Sequence, residues 1–269
     1  MRRALIALAL WGLARPAAAQ QCHQVGGDVW RRPGLIAGLR LDAAGYRNSS
    51  YEGDYEGLAP ALTFVHRRVS ALAMIPGYRI VRNGRVQGGV GDLALAVRVP
   101  VPAFTTDRLR AGFGLATTFP TGDAGKGLGM GHVMLMPEFW WNSELGPAQV
   151  GGIVGYGLAL ARAGTSEHQH GPSPLVNPMN MSEVEGSLYG QARLHPRLAV
   201  RASAYAAAPV GTADTHGRTR VIASQGVIVN VRDLEIAAEL QLGLVGQPFL
   251  ARGVLQLSYR FDLGRRRRR

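Results

Sequence analysis

The stretch GHVMLMPEFWWN, Gly131 to Asn142, separates into two unlike sets of side chains when alternate positions are read together. One set is apolar and contains Val133, Leu135, Pro137, Phe139 and Trp141. The other set is mixed and contains His132, Met134, Met136, Glu138, Trp140 and Asn142. Because successive side chains of a β-strand point to opposite faces, the stretch predicts a strand with one wholly apolar face.

The same alternation runs along most of the chain. In GDLALAVRVPV, residues 91–101, apolar side chains from Leu93 to Val101 alternate with a set that includes Asp92 and Arg98. Such segments are typical of strands with one apolar and one polar face. We predict twelve strands, at residues 34–46, 58–66, 69–81, 91–101, 108–119, 132–142, 149–162, 183–194, 197–209, 220–231, 234–244 and 253–263.

The connections between these strands alternate in length. Those after even-numbered strands are short, at 67–68, 102–107, 143–148, 195–196 and 232–233. Those after odd-numbered strands are mostly longer, at 47–57, 82–90, 120–131, 163–182, 210–219 and 245–252. This pattern predicts an all-β fold, a transmembrane antiparallel up-and-down β-barrel of a Gram-negative outer membrane. Both termini would lie in the periplasm, and the apolar faces would contact lipid.

The two ends of the chain differ from the barrel region, residues 34–263. Residues 1–19 have a basic start, an apolar centre and an Ala-rich end, which together predict a cleaved secretory signal. Residues 20–33 form a predicted periplasmic segment with the single cysteine, Cys22, so no intramolecular disulfide is expected. The last strand ends on the aromatic Phe261, which resembles the recognition signal for the barrel-assembly machinery, and an Arg-rich tail follows at 264–269.

The formal charge is concentrated at the ends. Of the net charge of +12, three arginines belong to the predicted signal and five to the run Arg265 to Arg269, which leaves +4 for the body. A basic protein exported from the cytoplasm meets little nucleic acid, so we expect no nucleic-acid partner. Beyond residue 19 no stretch of about 18 uninterrupted apolar residues occurs, which excludes an ordinary helical membrane protein.

Three consecutive stretches resemble a known family. They are GVGDLALAVRVPV, RAGFGLATTFPTGD and GLGMGHVMLMPEFWW, which are similar to the phenol-degradation meta-pathway (MetA-type) outer-membrane transporters. The matching positions are Gly91, Asp92 and Leu93, then Pro120, Thr121, Gly122 and Asp123, then Gly127, Gly129 and Gly131. The resemblance implies a channel or transporter for small solutes, often supposed to be aromatic or otherwise apolar, and it brings no catalytic residues.

Charged side chains at the alternate strand positions that face the barrel interior, called the inward parity below, are the candidates for solute contact. Strands four and five carry Arg98, Arg108 and Arg110 with few acids nearby, so this wall is the best candidate for contact with an anionic solute. The alternative is that arginines and carboxylates pair across strands and brace the barrel. The whole inward set is Arg40, Asp42, Arg79, Asp92, Arg98, Arg108, Arg110, Glu138, Glu183, Glu185, Arg193, Arg201, Arg220, Arg232, Glu235, Glu239, Arg260 and Asp262.

A cluster of methionine and histidine raises a second possibility. His132, Met134 and Met136 share one strand face, and the loop at 163–182 adds His168 and His170. Thioether and imidazole groups together suit Cu(I), which gives the hypothesis of a soft-metal site on this side of the barrel. Alternate residues on one strand lie about 7 Å apart, however, so two neighbouring methionines cannot chelate one ion unaided. Packing inside the barrel is the simpler interpretation.

The sequence contains few features that indicate an enzyme. No Gly-x-Ser-x-Gly motif is present, and GDAGKGLG lacks the spacing of a phosphate-binding loop. We therefore expect neither catalysis nor a cofactor. Three hypotheses remain: a passive channel for small solutes, a non-conducting barrel and a soft-metal-binding barrel. The second is suggested by a Gly- and Ala-rich inner face, which would let side chains fill the lumen, at Gly151, Gly155, Gly157 and Ala159.

Overall fold

The computed structural model describes residues 33–47, 52–66, 68–160, 179–211, 218–246 and 249–263. The predicted signal at 1–19, nearly all of the segment at 20–33 and the tail at 264–269 lie outside these ranges. None of the described residues belongs to a helix long and apolar enough to cross a membrane.

The described chain consists almost entirely of antiparallel strands. They are β1 (Gly34–Arg47), β2 (Glu52–His66), β3 (Val69–Met74), β4 (Gly77–Arg82), β5 (Arg85–Val90), β6 (Leu93–Pro100), β7 (Leu109–Phe119), β8 (Val133–Leu145), β9 (Ala148–Leu160), β10 (Ser182–His195), β11 (Leu198–Pro209), β12 (Arg220–Val231), β13 (Leu234–Val245) and β14 (Phe249–Asp262). β3 and β4 follow one another along one barrel strand, and β5 and β6 along the next, so the barrel has twelve strands. β1 pairs with both β2 and β14, from Gly34↔Asp262 onward, which closes the barrel.

The predicted fold class is therefore confirmed, and most strand bounds agree within three residues. Two predicted long loops were wrong. β2 begins at Glu52 rather than at residue 58, and residues 85–90 of the predicted loop at 82–90 form β5. β4 and β5 are joined by the two-residue turn Asn83–Gly84, in which both residues have positive φ. β2 and β4 continue beyond the apolar band, where outward side chains such as Asp54, Glu56 and Arg79 are charged, and two adjacent glycines weaken the alternation in β5.

Two ends of the barrel can be distinguished. The short-turn end carries the connections at 67–68, 101–108, 146–147, 196–197 and 232–233. The loop end carries the other six, of which those at 120–132, 161–181 and 210–219 are long. Residues 120–132, called loop 120–132 below, contain a 3-10 turn at Ala124–Lys126.

The side chains on the outer surface of the barrel are the apolar set that the sequence predicts to face lipid. Leu62, Val97, Phe113 and Leu115 are examples of its exposed side chains. Phe113 and Phe139 pack edge to face with ring centroids 5.6 Å apart, and Phe139 stacks on Trp141 at 6.2 Å. Soluble monomers rarely expose so large an apolar surface, whereas a barrel in lipid requires it.

The fourth barrel strand contains a bulge. Gly77 pairs with Val90 and Met74 pairs with Ala94, so the three residues 91–93 oppose only residues 75 and 76. The extra residue interrupts the ladder at Gly91 and Asp92, where the Gly91 N–H still donates to the Pro76 carbonyl at 2.7 Å. The bulge therefore places Asp92 at the loop end, next to loop 120–132.

Candidate functional site in the barrel interior

A cavity of about 440 Å³ lies at the short-turn end of the lumen. Its charged lining comprises five arginines against three carboxylates, a net of two positive charges, and His195 adds a titratable group. These charged residues are Arg40, Arg193, Arg201, Arg232, Arg260, Asp233, Glu235 and Glu239. A low-dielectric wall concentrates the field of such charges, so the excess of arginines makes the electrostatic potential in the cavity positive.

The other part of the cavity wall is apolar. Ala59 and Ala61 of β2 and Leu72 and Met74 of β3 lie side by side on the inward face. Ala59 and Met74 also belong to a buried cluster with Ala94, Ala96, Ala116 and Met136. The cavity is thus amphipathic, with an apolar wall next to the Arg40 guanidinium.

The loop end of the lumen is filled by an apolar plug. It contains Ala44, Tyr55, Tyr78, Ile80, Leu128, Tyr205, Ala207, Ile222 and Phe249, all less than 7% exposed. Six strands contribute to this plug, and loop 120–132 contributes Leu128. Tyr55 and Tyr78 pack edge to face with ring centroids 6.4 Å apart. Since the strands are fixed by the sheet, Leu128 is the part of the plug that a loop movement could withdraw.

The Asp92 carboxylate holds loop 120–132 in place. Its Oδ1 accepts the Gly122 N–H at 3.0 Å and its Oδ2 accepts the Met130 N–H at 2.7 Å. The Thr121 hydroxyl donates to the Gly91 carbonyl at 2.7 Å and accepts the Leu93 N–H at 2.8 Å. These bonds, called the Asp92 latch below, fix both ends of the loop to the bulge of the fourth barrel strand.

Glycines of the motif that resembles the MetA-type family allow the close contacts of the Asp92 latch. A Cβ on Gly129 would collide with the Asp92 carboxylate, and one on Gly122 would lie 2.7 Å from the Leu128 carbonyl oxygen. A Cβ on Gly91 would lie 2.6 Å from the Tyr78 ring. The motif residues therefore meet at one place and form the support of Leu128, while Pro120 is exposed at the start of the loop.

Asp123, the last residue of the Pro-Thr-Gly-Asp motif, caps the 3-10 turn inside the loop. Its Oδ1 accepts the Lys126 N–H at 3.2 Å and its Oδ2 lies 3.1 Å from the Lys126 ammonium. Hydrogen bonds from the Lys126 side chain and backbone hold the pKa of this carboxyl below its ordinary value. Both side chains are about half exposed, so the ion pair contributes little to stability.

A row of paired inward positions crosses seven strands and alternates charged with small residues. Glu138 of β8 accepts from the Arg98 Nε of β6 at 2.5 Å, across Gly114 of β7. Both side chains of this ion pair are less than 5% exposed. The row, called the charged row below, consists of Arg98, Gly114, Glu138, Gly155, Glu185, Ala207 and Arg220.

A second buried network ties two loops to the strands at the loop end. The Arg220 guanidinium donates to Glu183 Oε2 at 2.5 Å, and Tyr205 donates to Glu185 at 3.0 Å. Glu183 Oε2 also accepts the backbone and side-chain N–H groups of Asn180 at 2.9 and 2.8 Å. Asn180 Oδ1 accepts the Arg218 N–H at 2.8 Å, so residues before β10 and before β12 are joined.

Across the plug, Arg252 of β14 makes a third group of polar contacts. Its Nη1 donates to the Tyr55 hydroxyl at 3.0 Å, and its Nε donates to Gln241 Oε1 at 2.6 Å. Asp42 lies 4.0 Å away as its carboxylate partner. The guanidinium also stacks over the Phe249 ring, 4.5 Å from its centroid.

The predicted solute-contact residues occupy several different places. Arg98 pairs with Glu138 two barrel strands away, as in the alternative that arginines and carboxylates brace the barrel. Arg108 is exposed in the turn at the short-turn end, and Arg110 is a partly buried inward residue opposite Asn142. Arg193 lines the cavity. Contact of these residues with a solute stays a prediction.

One of the inward assignments was wrong. Arg79 lies on the outer wall, half exposed, with its Nη1 3.4 Å from Glu56 and 3.8 Å from Asp54. The inward residues of β4 are Tyr78 and Ile80. Since β4 extends beyond the apolar band, charged side chains face water there.

The methionine and histidine candidates are part of the packed interior. Met134 and Met136 are fully buried, and both lie next to Gly157, where an added Cβ would be 3.2 Å from Met134 Cε. His132 is 7% exposed. Within the described ranges no group of three or more His, Cys, Asp or Glu could hold a metal ion, and His168 and His170 lie outside them. Soft-metal binding stays a prediction.

Several interior residues were missed by reasoning from sequence alone. Arg252 was assigned to a loop at 245–252, so its inward parity was not considered. Tyr55 was likewise placed before the predicted start of its strand. Leu128 had a signal that could have been used, because it is a large apolar residue among the glycines of GDAGKGLGMG.

The architecture was compared with known proteins. No family model matches the chain, and no curated protein matches its sequence. Solved structures with similar folds include the COG4313 outer membrane channel from Pseudomonas putida F1, with a TM-score of 0.68 and 11% identity over 91% of this chain and all of that one. The NanC porin has a TM-score of 0.57 and 10% identity over 84% of this chain and 100% of that one. The KdgM porin in complex with disordered oligogalacturonate has a TM-score of 0.52 and 6% identity over 84% and 99% of the two chains.

The chain has the fold of an outer-membrane barrel. At these identities the likeness extends to the fold alone. The particular features of this barrel are the Asp92 latch, the apolar plug and the amphipathic cavity.

Proposed function

We propose that the protein is an outer-membrane channel for small solutes, with the cavity as its inner vestibule and the apolar plug as its outer gate. The observation that carries the proposal is that the plug contains Leu128, which belongs to a hydrogen-bonded loop and not to the sheet. Hydrophobic constrictions of this kind gate channels by excluding water. A solute with an apolar part would pass this gate more readily than a hydrated ion.

We further propose the orientation of the barrel. The short-turn end and both termini would face the periplasm, as in other outer-membrane barrels with short periplasmic turns. Lipid would contact the outer wall. Tyr259 and Phe261 at the end of β14, with ring centroids 4.8 Å apart, would serve as the signal read by the barrel-assembly machinery.

Single-channel recording tests the gate directly. Leu128→Ala removes the loop's side chain from the plug, and we expect unit conductance or open probability to rise about twofold or more. Leu115→Ala is the matched control, because Leu115 lies on the outer wall and is 47% exposed. The proposal fails if the folded wild type and the Leu128 variant are both silent, or if the two leucine variants behave alike.

A non-conducting barrel is the second candidate, and the dense packing of the interior favours it. Val65 of β2 forms a buried cluster with Trp140 of β8 and Ile153 of β9, so side chains also meet across the lumen below the plug. Gly151, Gly155 and Gly157 leave room for Tyr189, Glu138, Glu185 and Glu183, in line with the predicted small inner face. Silence of every folded variant in the recording would favour this candidate.

A further inference from the structure

Arg40 is a buried guanidinium that makes no hydrogen bond to any described residue. It lies on the inward face of β1, between Ala59 of β2 and Gln256 of β14. The residue is 4% exposed, and its Nε, Nη1 and Nη2 make no hydrogen bond anywhere in the described parts of the chain. Burying an unpaired charge is costly, and buried charges in proteins are normally paired. A guanidinium in this setting is therefore expected to bind an anion.

Neither of the nearby carboxylates pairs with Arg40. Asp42, two positions along the same face of β1, lies 4.0 Å from Arg252, and its oxygens accept no hydrogen bond within the described ranges. Glu239 on β13 accepts a hydrogen bond from Gln241 at 3.3 Å. Among the described residues neither carboxylate forms an ion pair with Arg40, so its three buried nitrogens have no partner until the side chain turns toward a ligand in the cavity.

The cavity brings this guanidinium together with an apolar wall and a second cation. Ala59, Ala61, Leu72 and Met74 line the cavity next to Arg40. Arg201 of β11, on the opposite side of the barrel, lines the same cavity and lies 4.7 Å over the Tyr189 ring. A planar guanidinium binds a carboxylate through two parallel hydrogen bonds, which orients the bound molecule.

We propose that the cavity is a binding site for a small organic carboxylate, with the carboxylate on Arg40 and an apolar body against Ala59, Ala61, Leu72 and Met74. This binding site rests on the proposed channel function, because its ligand would be the class of solute that the channel carries. A volume of about 440 Å³ accommodates a single-ring acid. The net positive lining would bring the anion to the site, and the apolar wall would select against fully hydrated inorganic anions.

Calorimetric titration of the refolded chain in detergent tests the site, with benzoate as the probe. Benzamide has the same ring without the charge, and acetate has the charge without the ring. We expect benzoate to bind at least about tenfold more tightly than either. Equal affinity for benzoate and benzamide, or no heat from benzoate, overturns the proposal.

Variants at Arg40 separate binding from structure. Arg40→Met keeps the length of the side chain and removes the charge, and we expect it to lose benzoate affinity about tenfold or more while Arg40→Lys retains part of it. Without ligand the methionine variant should melt at the same temperature as wild type or higher, because an unpaired buried charge is gone. A lower melting temperature together with unchanged benzoate affinity would make Arg40 purely structural. Arg79→Met on the outer wall is the control and should change neither quantity.

The binding test and the channel test fail independently. Binding is measured on a protein in detergent, where no conduction is needed. A protein that binds benzoate through Arg40 but conducts nothing keeps the site and loses the channel. A protein that conducts but binds benzoate no better than benzamide keeps the channel and loses the site.

Discussion

Asp92 shows how one carboxylate can control a loop of thirteen residues. Each of its two oxygens accepts a backbone N–H, from Gly122 near the start of loop 120–132 and from Met130 near its end. Gly129 must lack a side chain for the carboxylate to fit. Since Leu128 lies between these attachment points, the position of the plug residue depends on the Asp92 latch.

Removing this carboxylate should release the loop. Asp92→Ala deletes two hydrogen bonds to a charged acceptor, each worth about 1.5–3 kcal/mol, so the open population of the loop should rise more than about tenfold. Lys126, half exposed in the loop, is the single lysine of the chain. Digestion of the folded barrel with a lysine-specific endoproteinase therefore reports opening of this loop alone, and we expect cleavage to accelerate by the same factor.

Asp54→Ala is the control for the latch. Asp54 is a half-exposed carboxylate on the outer wall, paired only loosely with Arg79 at 3.8 Å. Its removal should leave cleavage at Lys126 unchanged. Equal cleavage rates for wild type and both variants would show that the latch does not hold the loop.

At the level of elements, the charged row explains why small residues alternate with long ones around the barrel. Arg98 and Glu138 lie on strands that are not adjacent, and the intervening Gly114 lets their side chains meet. A Cβ on Gly114 would lie 2.6 Å from Glu138 Oε1 and 3.0 Å from Arg98 Cγ. Register thus determines which charges pair inside the barrel.

The strand pairing leads to a stability prediction. Gly114→Ala should lower the free energy of unfolding by about 1–3 kcal/mol, because the new methyl group pushes apart a buried ion pair. Gly190→Ala adds the same methyl group where nothing lies within 4 Å and should change stability by less than about 0.5 kcal/mol. Urea unfolding measures both effects when the folded fraction is taken from electrophoresis of unheated samples, in which the folded barrel and the unfolded chain migrate differently. Equal effects would mean that the spacing at Gly114 is unimportant.

The strands within the apolar band could be predicted because alternation of period two survives wherever lipid faces one side. It is weak in β5, where two of the six residues are glycines, and there the Asn83–Gly84 turn was the better signal because both residues adopt positive φ. The inward position of Arg252 was not predicted for a related reason. Residues Gly253 to Asp262 alternate clearly, whereas Phe249 to Arg252 include a shift of register. The sequence therefore predicts strands and faces, and misses bulges and strand extensions.

For the whole molecule, the interior depends on which side chains meet across the lumen, and no local pattern contains that information. Parity correctly placed Arg40 and Arg98 on the inner face. It could not show that Arg98 has a carboxylate partner while Arg40 pairs with none of the described carboxylates, because partner positions follow from barrel closure and from register over several strands. The same limit applies to Leu128, whose place in the lumen follows from contacts between residues about thirty positions apart.

The charge of the cavity predicts the ion preference of the channel. Its lining has two positive charges in excess, so anions should permeate about two- to fivefold better than cations at 0.1 M salt. The preference should weaken at 1 M, where the Debye length falls from about 10 Å to about 3 Å. Reversal potentials under a salt gradient measure it.

Charge reversal at the short-turn end tests whether the cavity is the conduction path. Changing Arg193 and Arg232 together to Glu alters the lining by four charges, and we expect the reversal potential to change sign because the excess becomes negative. Arg79→Glu on the outer wall should leave the sign as in wild type. If the double variant keeps the wild-type sign while remaining folded and conducting, ions bypass the cavity, and the vestibule cannot be what sets selectivity.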